Sequence, residues 1–367
     1  MTFTNQLYLD APVVGQLEKD YLCKAIDSGF VSTIGPFVPE FETKFGGYLG
    51  VTKAVSVQSG TAALHISLVE LGIGAGDEVI VPDLTFIATV NPIIYVGATP
   101  VIVEVEPDTW NISPEAIRKA ITSKTRAIMP VHLYGNPCNM EEIMQIAREY
   151  KLYVIEDATE SLGATYKDRY TGTFGDLGAF SFNGNKTMTT GGGGMVVGNN
   201  IEKLAHIKYL VNQARDESRG YYHTEVGYNY RLTNLEAAMG LAQLEQFAKF
   251  LAIKRHLHNI YEQELSGIAK LSFQKSYPES RSSYWFTAVC FQEAPDISML
   301  QQKLKEKGLP SRRNFVPLHQ MPAYSQYAKE AYPNAERLYN TGLCLPSSCL
   351  NTEEAVREFC KTLKEYI

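Results

Sequence analysis

The stretch Tyr153-Val154-Ile155-Glu156-Asp157-Ala158-Thr159-Glu160-Ser161 passes from an apolar run directly into paired acids. Read as a buried strand ending in a carboxylate, it places Asp157 at the carboxyl edge of an α/β sheet, the edge at which such sheets bind ligands. The same residues also read as a helix start with Asp157 as the N-cap, and for this segment alone both readings stay open. Working outward, residues 78–82, 100–105 and 126–131 are further short apolar runs, and 86–95 and 140–150 are helix-like. Ser113-Pro114-Glu115 opens another helix, with Ser as N-cap and Pro at the first helical position. Downstream, residues 178–182 and 194–197 are two more strands, joined through Gly191-Gly192-Gly193-Gly194. Apolar runs of this length separated by helices predict a parallel sheet covered on both faces.

After about Thr233 the pattern changes. Residues 234–264 predict one long helix or two in series, followed by a strand at 284–291, a helix at 297–307, a Pro-rich stretch at 316–322 and a helix at 352–366. The expected fold class is α/β. A large domain with a mostly parallel sheet spans residues 1–245, and a smaller C-terminal α+β domain spans 246–367. A chain of 367 residues is long enough for two domains at roughly 100–200 residues each.

Composition narrows the function classes. With 34 Lys plus Arg against 40 Asp plus Glu, the chain is mildly acidic and has no global attraction for phosphate backbones, so no nucleic-acid partner is expected. The most apolar stretch, 79–105, is broken by Asp83, Asn91, Pro92 and Pro100, so no membrane span is expected. Met1-Thr2-Phe3-Thr4-Asn5 lacks the basic start and apolar run of a signal peptide. The six cysteines are scattered, with no CxxC pair and no His at zinc-ligand spacing. Reduced thiols in a cytoplasmic protein without a metal are the expectation.

Four segments carry candidate chemistry. Ser59-Gly60-Thr61-Ala62 opens an Ala/Leu-rich helix whose free N–H groups suit a phosphate, although an ordinary capped helix start reads the same way. Asp157, at a strand end, can pair with a cationic ring nitrogen. Gly178-Ala179-Phe180-Ser181-Phe182-Asn183-Gly184-Asn185-Lys186 ends a strand in a turn and a lysine, the residue that forms Schiff bases when burial frees its amine. Val226-Gly227-Tyr228-Asn229-Tyr230-Arg231-Leu232-Thr233-Asn234 alternates polar and aromatic residues before the long helix. An anion cradle, an acid at a strand end and a Ser before a Lys together match what pyridoxal 5'-phosphate requires: a held phosphate, a protonated ring nitrogen and an imine-forming lysine.

On these motifs the chain resembles the DegT/StrS-type nucleotide-sugar aminotransferases, closest to the sugar C4 aminotransferases, within the fold-type I pyridoxal-phosphate transferases. The resemblance runs from Gly29-Phe30-Val31-Ser32 to Leu345-Pro346. It implies that Lys186 joins the cofactor covalently and later moves protons, and that Asp157 pairs with the pyridinium nitrogen. It further implies Glu160 near the ring oxygen, Gly60, Thr61 and Ser181 on the phosphate, and Phe86 stacked on the ring. Asn229 would reach the phosphate of the neighbouring subunit's cofactor, giving a homodimer with a shared active site. Arg231, His319 and either Arg312 or Arg313 are implied for the sugar-nucleotide side.

Relatives usually read Thr-Gly-Glu-Gly-Gly after the lysine. Gly192 stands in place of that Glu, and a local packing difference is expected there. A deoxygenating branch of the family carries His where Lys186 stands, so lysine here leaves amine transfer open. The implied reaction moves an amino group from L-glutamate to the C4 ketone of a nucleotide-linked 4-keto-6-deoxyhexose, for surface glycans such as the O-antigen of lipopolysaccharide. Asn183 leans towards a UDP-linked N-acetyl sugar. The alternatives are a GDP-perosamine synthase-type or 3-keto-sugar aminotransferase and, from a different class, a non-catalytic cofactor-binding regulatory protein. A dinucleotide-dependent dehydrogenase needs a GxGxxG turn after its first strand, and none opens the early βα unit.

Overall fold

A computed structural model describes residues 6–292 and 296–367. The leader reading concerned residues 1–5, which lie outside the described residues. Seven strands form the main sheet: Lys53–Val57 (β1), Glu78–Pro82 (β2), Thr99–Val103 (β3), Thr125–Ile128 (β4), Tyr153–Asp157 (β5), Leu177–Ser181 (β6) and Gly194–Gly198 (β7). Their order across the sheet is β1-β7-β6-β5-β4-β2-β3. Strand β2 is buried along its whole length, as a strand covered on both faces must be.

The sheet is not parallel throughout. Strand β7 runs antiparallel to both β6 and β1. The chain between β6 and β7 contains no crossover helix, so it can only turn back. Gly193 makes the reversal possible, with a φ of +100° and a Cβ position only 2.5 Å from Thr190 Oγ1.

The helix predicted at 86–95 is confined to Asn91–Tyr95, because Pro92 starts it in its first turn. Residues 86–90 instead form turns at the end of β2. Ser113 caps its helix as predicted, accepting the Ala116 N–H at 3.3 Å.

The C-terminal part holds an antiparallel sheet in the order Leu271–Phe273, Ala288–Phe291, Gly342–Cys344, Arg312–Arg313. The strand predicted at 284–291 is shorter than expected, since Tyr284 takes a left-handed φ of +48° and turns the chain before Ala288. Helices Ile297–Glu306 and Glu353–Lys364 pack with this sheet into a second core.

The predicted long helix is continuous from Asn234 to Leu265 and contains residue 245. Thr233 and Glu236 cap it reciprocally, each side chain accepting the other's N–H. Its Ala237, Leu241 and Phe247 belong to a core against the main sheet, while Leu257, Ile260, Tyr261 and Leu265 belong to the second core. Among the described residues no helix is long and apolar enough to cross a membrane.

Candidate active site

The carboxyl ends of β1, β2, β5 and β6 converge on a cavity of about 330 Å³. Gly60 and Thr61 reach it after β1, Thr85, Phe86 and Thr89 after β2, Asp157 and Glu160 at β5, and Ser181 and Lys186 at β6. Trp285, Arg312 and Phe315 close it from the C-terminal part.

The β1 corner is an anion cradle. Ser59 Oγ accepts the Ala62 N–H at 3.0 Å. The first turn leaves the Gly60 and Thr61 N–H groups without intrahelical acceptors, at the positive end of the helix. A Cβ at position 60 would lie 2.9 Å from both Ser181 Cβ and Thr159 Cγ2, so only glycine lets the helix start approach Ser181 this closely.

Asp157 is buried with both carboxylate oxygens held. Thr89 Oγ1 donates to Oδ2 at 2.7 Å. Thr159 donates to Oδ1 through its hydroxyl at 2.7 Å and its N–H at 3.2 Å. The carboxylate therefore cannot rotate freely.

Lys186 Nζ lies 4.0 Å from Glu160 Oε1 and 3.7 Å from the centroid of the Trp285 ring. Burial lowers the lysine pKa, with the charges of Glu160 and Asp157 opposing. Burial likewise raises that of Glu160, opposed by Lys186 and by the Tyr134 N–H, which donates to it at 2.8 Å. Both shifts run towards the neutral amine and the neutral acid. Trp285 is fixed from two sides: its Nε1 donates to the Asn185 carbonyl at 2.8 Å, and its carbonyl accepts from the buried Lys254 Nζ at 3.1 Å.

Of the two adjacent arginines, Arg312 faces the cavity. Its guanidinium carbon sits 4.3 Å from the Phe286 ring centroid, 5.1 Å from Phe315 and 5.4 Å from Trp285. Arg313 turns the other way, over Tyr339 at 4.0 Å, with Nη2 donating to the Tyr339 carbonyl.

His319 is also outside the cavity lining. Asp83 Oδ1 accepts its N–H at 2.9 Å and Asp83 Oδ2 lies 2.6 Å from its Nδ1, while Glu336 meets Nε2 at 3.1 Å. Asp83 directly follows β2, and burial raises its pKa to about 6. His319 thus fastens the segment carrying Phe315 to the loop carrying Phe86. These two rings lie 5.7 Å apart in the cavity lining.

Arg231 lines a different cavity, with Glu42, Lys208 and Arg215, and its Nε is buried without a partner. Asn229 is exposed and does not line this cavity. A Cβ at Gly192 would stand 3.3 Å from Glu236 Oε1, so a carboxylate from the long helix already occupies the space a side chain at 192 would enter.

Comparisons with known proteins agree with this arrangement. The DegT/DnrJ/EryC1/StrS aminotransferase family matches residues 12–364. The chain belongs to this family. It is 42% identical to a GDP-perosamine synthase of Escherichia coli O157:H7 over 95% of each chain. It is 41% identical to a GDP-perosamine synthase of Caulobacter vibrioides over 97% of each chain. Spr1654 of Streptococcus pneumoniae, solved in a PLP-form, superposes with a TM-score of 0.93 at 25% identity, covering 99% of this chain and 100% of the other. The protein is a pyridoxal 5'-phosphate-dependent aminotransferase of fold type I. The cavity fits that cofactor: the cradle at Gly60 is too tight for a Cβ, the Asp157 carboxylate is held by Thr89 and Thr159, and a lysine whose pKa burial lowers lines the same cavity.

Proposed function

We propose that the enzyme transfers an amino group from L-glutamate to the C4 ketone of a GDP-linked 4-keto-6-deoxyhexose, as a GDP-perosamine synthase-type aminotransferase. The observation carrying this reading is the cluster of Lys186, Glu160 and Asp157 in one cavity, taken with two full-length relatives named GDP-perosamine synthase. Those names favour the GDP-linked alternative over the UDP-linked N-acetyl sugar towards which Asn183 leans. We place the product in surface-glycan synthesis, such as O-antigen, and the enzyme in the cytoplasm.

In this reading Gly60, Thr61 and Ser181 hold the cofactor phosphate, Asp157 its ring nitrogen, Glu160 its ring oxygen and Phe86 its face, and Lys186 carries it covalently. The bound cofactor supplies an electron sink for the carbanion left at the donor's α-carbon. The Lys186 amine, once free, removes the α-proton as a general base and delivers it again as a general acid. A lysine pKa lowered by burial favours the neutral amine that the first of these tasks needs. Asp157, gripped by Thr89 and Thr159, keeps a positive charge at the ring nitrogen. Glu160 in its neutral form can donate a hydrogen bond to the ring oxygen. The cofactor sits on the 1–245 unit, and the 246–367 unit contributes Trp285, Arg312 and Phe315.

A homodimer in which Asn229 enters the neighbouring cavity is part of the proposal. Its support is the exposure of Asn229 on a loop that also exposes Tyr221 and Val226.

The purified protein should be yellow, and glutamate should bleach its visible band. Mass spectrometry after incubation with glutamate and GDP-, UDP- and dTDP-linked 4-keto sugars should then find the amine on the GDP-linked sugar. Amination of the UDP sugar alone would restore the other substrate reading, and a coloured protein without turnover would favour the regulatory one.

A further inference from the structure

The Lys186 amine needs two protonation states in turn, and burial helps only one of them. Taking the donor's α-proton requires the neutral amine, which burial and the like charge of Arg312 favour. The same step makes an ammonium, which must keep its proton until it is delivered to carbon. Four charged groups bear on that ammonium: Glu160, Asp157, Arg312 and Asp10. Glu160 Oε1 is 4.0 Å from Nζ, beyond hydrogen-bond reach, and burial drives that acid towards its neutral form. Asp157 is engaged by Thr89 and Thr159, and Asp10 Oδ2 accepts the Asn185 side chain at 2.9 Å. Arg312 repels a cation.

An aromatic face meets the amine instead. Nζ lies 3.7 Å from the centroid of the Trp285 ring. A cation is drawn to an indole face from within about 6 Å of its centroid. Such a face attracts the ammonium but has no lone pair free to take its proton. The charge is held without diverting the proton from carbon, and no directional bond locks the amine in one orientation. Trp285 is built into this position. It is 3% exposed, with the Phe286 ring packed edge-on at 4.6 Å. Its Nε1 donates to the carbonyl of Asn185, the residue before Lys186, so the ring keeps register with the lysine's own backbone. Lys254, from the long helix, holds the Trp285 carbonyl.

We propose that Trp285 is a catalytic residue whose ring face holds the Lys186 ammonium between removal of the donor's α-proton and its delivery. The neutral amine takes the proton from carbon, rests as the ammonium against the ring, and is restored when the proton leaves, so nothing is consumed. This inference rests on the reading of Lys186 as the proton carrier given above.

The test weakens the face without changing its shape. The chain has two tryptophans, and the other, Trp110, does not line the cavity. Protein grown with monofluoro- or trifluorotryptophan keeps the Nε1–H and the packing, while the ring face loses electron density. In the cofactor-free protein, competitive acetylation read by mass spectrometry gives the Lys186 pKa. Removing a contact that favours the charged form lowers a lysine pKa, so it should fall stepwise with fluorine content, by about one unit in all. In the holoenzyme the bleaching rate at saturating glutamate should fall about three- to tenfold over the same series, with KM for glutamate held. W285L, which removes the face, should do at least as much, and W285F should lie between. A Lys186 pKa or a bleaching rate that ignores fluorine content overturns the inference. If W285L does not fold, the fluorinated proteins decide. Borohydride leaving Lys186 unlabelled in the coloured holoenzyme overturns the proton-carrier reading and this inference with it, whereas a labelled Lys186 with an unmoved pKa overturns this inference alone.

Discussion

Thr89→Val removes a single hydroxyl from a buried wall of the active site. That hydroxyl donates to Asp157 Oδ2 at 2.7 Å and also meets Thr85 Oγ1 at 2.8 Å. A hydrogen bond to a charged acceptor contributes about 1.5–3 kcal/mol net, equivalent to roughly 10- to 150-fold in rate if it is lost wholly from the transition state. Thr159 still supplies two donors to the other carboxylate oxygen, so Asp157 loses its orientation more than its solvation. The lower part of the range is therefore expected, about 10- to 30-fold, in the stopped-flow bleaching rate at saturating glutamate. Glutamate KM should hold near the wild-type value, because Thr89 acts through Asp157. Thr89→Ser keeps the donor and should recover most of the rate. A Thr89→Val enzyme that is fully coloured and bleaches at the wild-type rate would refute the claim that a gripped Asp157 matters to the chemistry.

Lys186→Ala should bind cofactor without borohydride fixing it to the chain, and turnover should vanish; label on any other lysine would contradict the assignment. Gly60→Ala forces a Cβ to within 2.9 Å of Ser181 and Thr159, and equilibrium dialysis should show cofactor affinity reduced about tenfold or more. Asp83 predicts a pH signature in stability. Its folded pKa, raised to about 6, lies above the ordinary 3.8. Between about pH 4 and 6 the unfolded chain has therefore released a proton that the folded chain still holds. Stability falls as pH rises through this window, by about 3 kcal/mol in all, and levels off above it. Asp83→Asn removes this contribution, so the Tm difference between wild type and variant should favour the wild type more at pH 4.5 than at 6.5; a difference independent of pH would count against it.

The residues legible in the sequence are those whose signal is local. Asp157 and Ser181 end apolar runs, Gly60 opens a helix behind a capping serine, and Lys186 closes a turn after a strand, so each reads from its own neighbours. Arg312 and Phe315 reach the cavity through pairing of Arg312–Arg313 with Gly342–Cys344, and Trp285 comes just before Ala288–Phe291, which pairs with the same strand; no local pattern records either pairing. Period-two alternation along that strand explains why one of two adjacent arginines enters the site and the other does not. Thr89 was hidden inside a predicted helix that Pro92 shortens. His319 carries the chemistry of a ligand contact, but its partner Asp83 lies far away in sequence, and it acts as a fastening between two loops. The antiparallel β7 was announced by its glycine run, though apolar strands alone suggested uniform direction.

The uninterrupted helix from Asn234 to Leu265 also constrains how the enzyme handles two substrates in turn. At 1.5 Å per residue it is a rod of roughly 48 Å, seated in one core at its start and in the other at its end. Separating the two cores would bend that rod or extract one buried end. Phe86 from the main-sheet side and Phe315 from the C-terminal part lie 5.7 Å apart in the cavity lining, so the two walls that meet a substrate are tied together by one continuous helix.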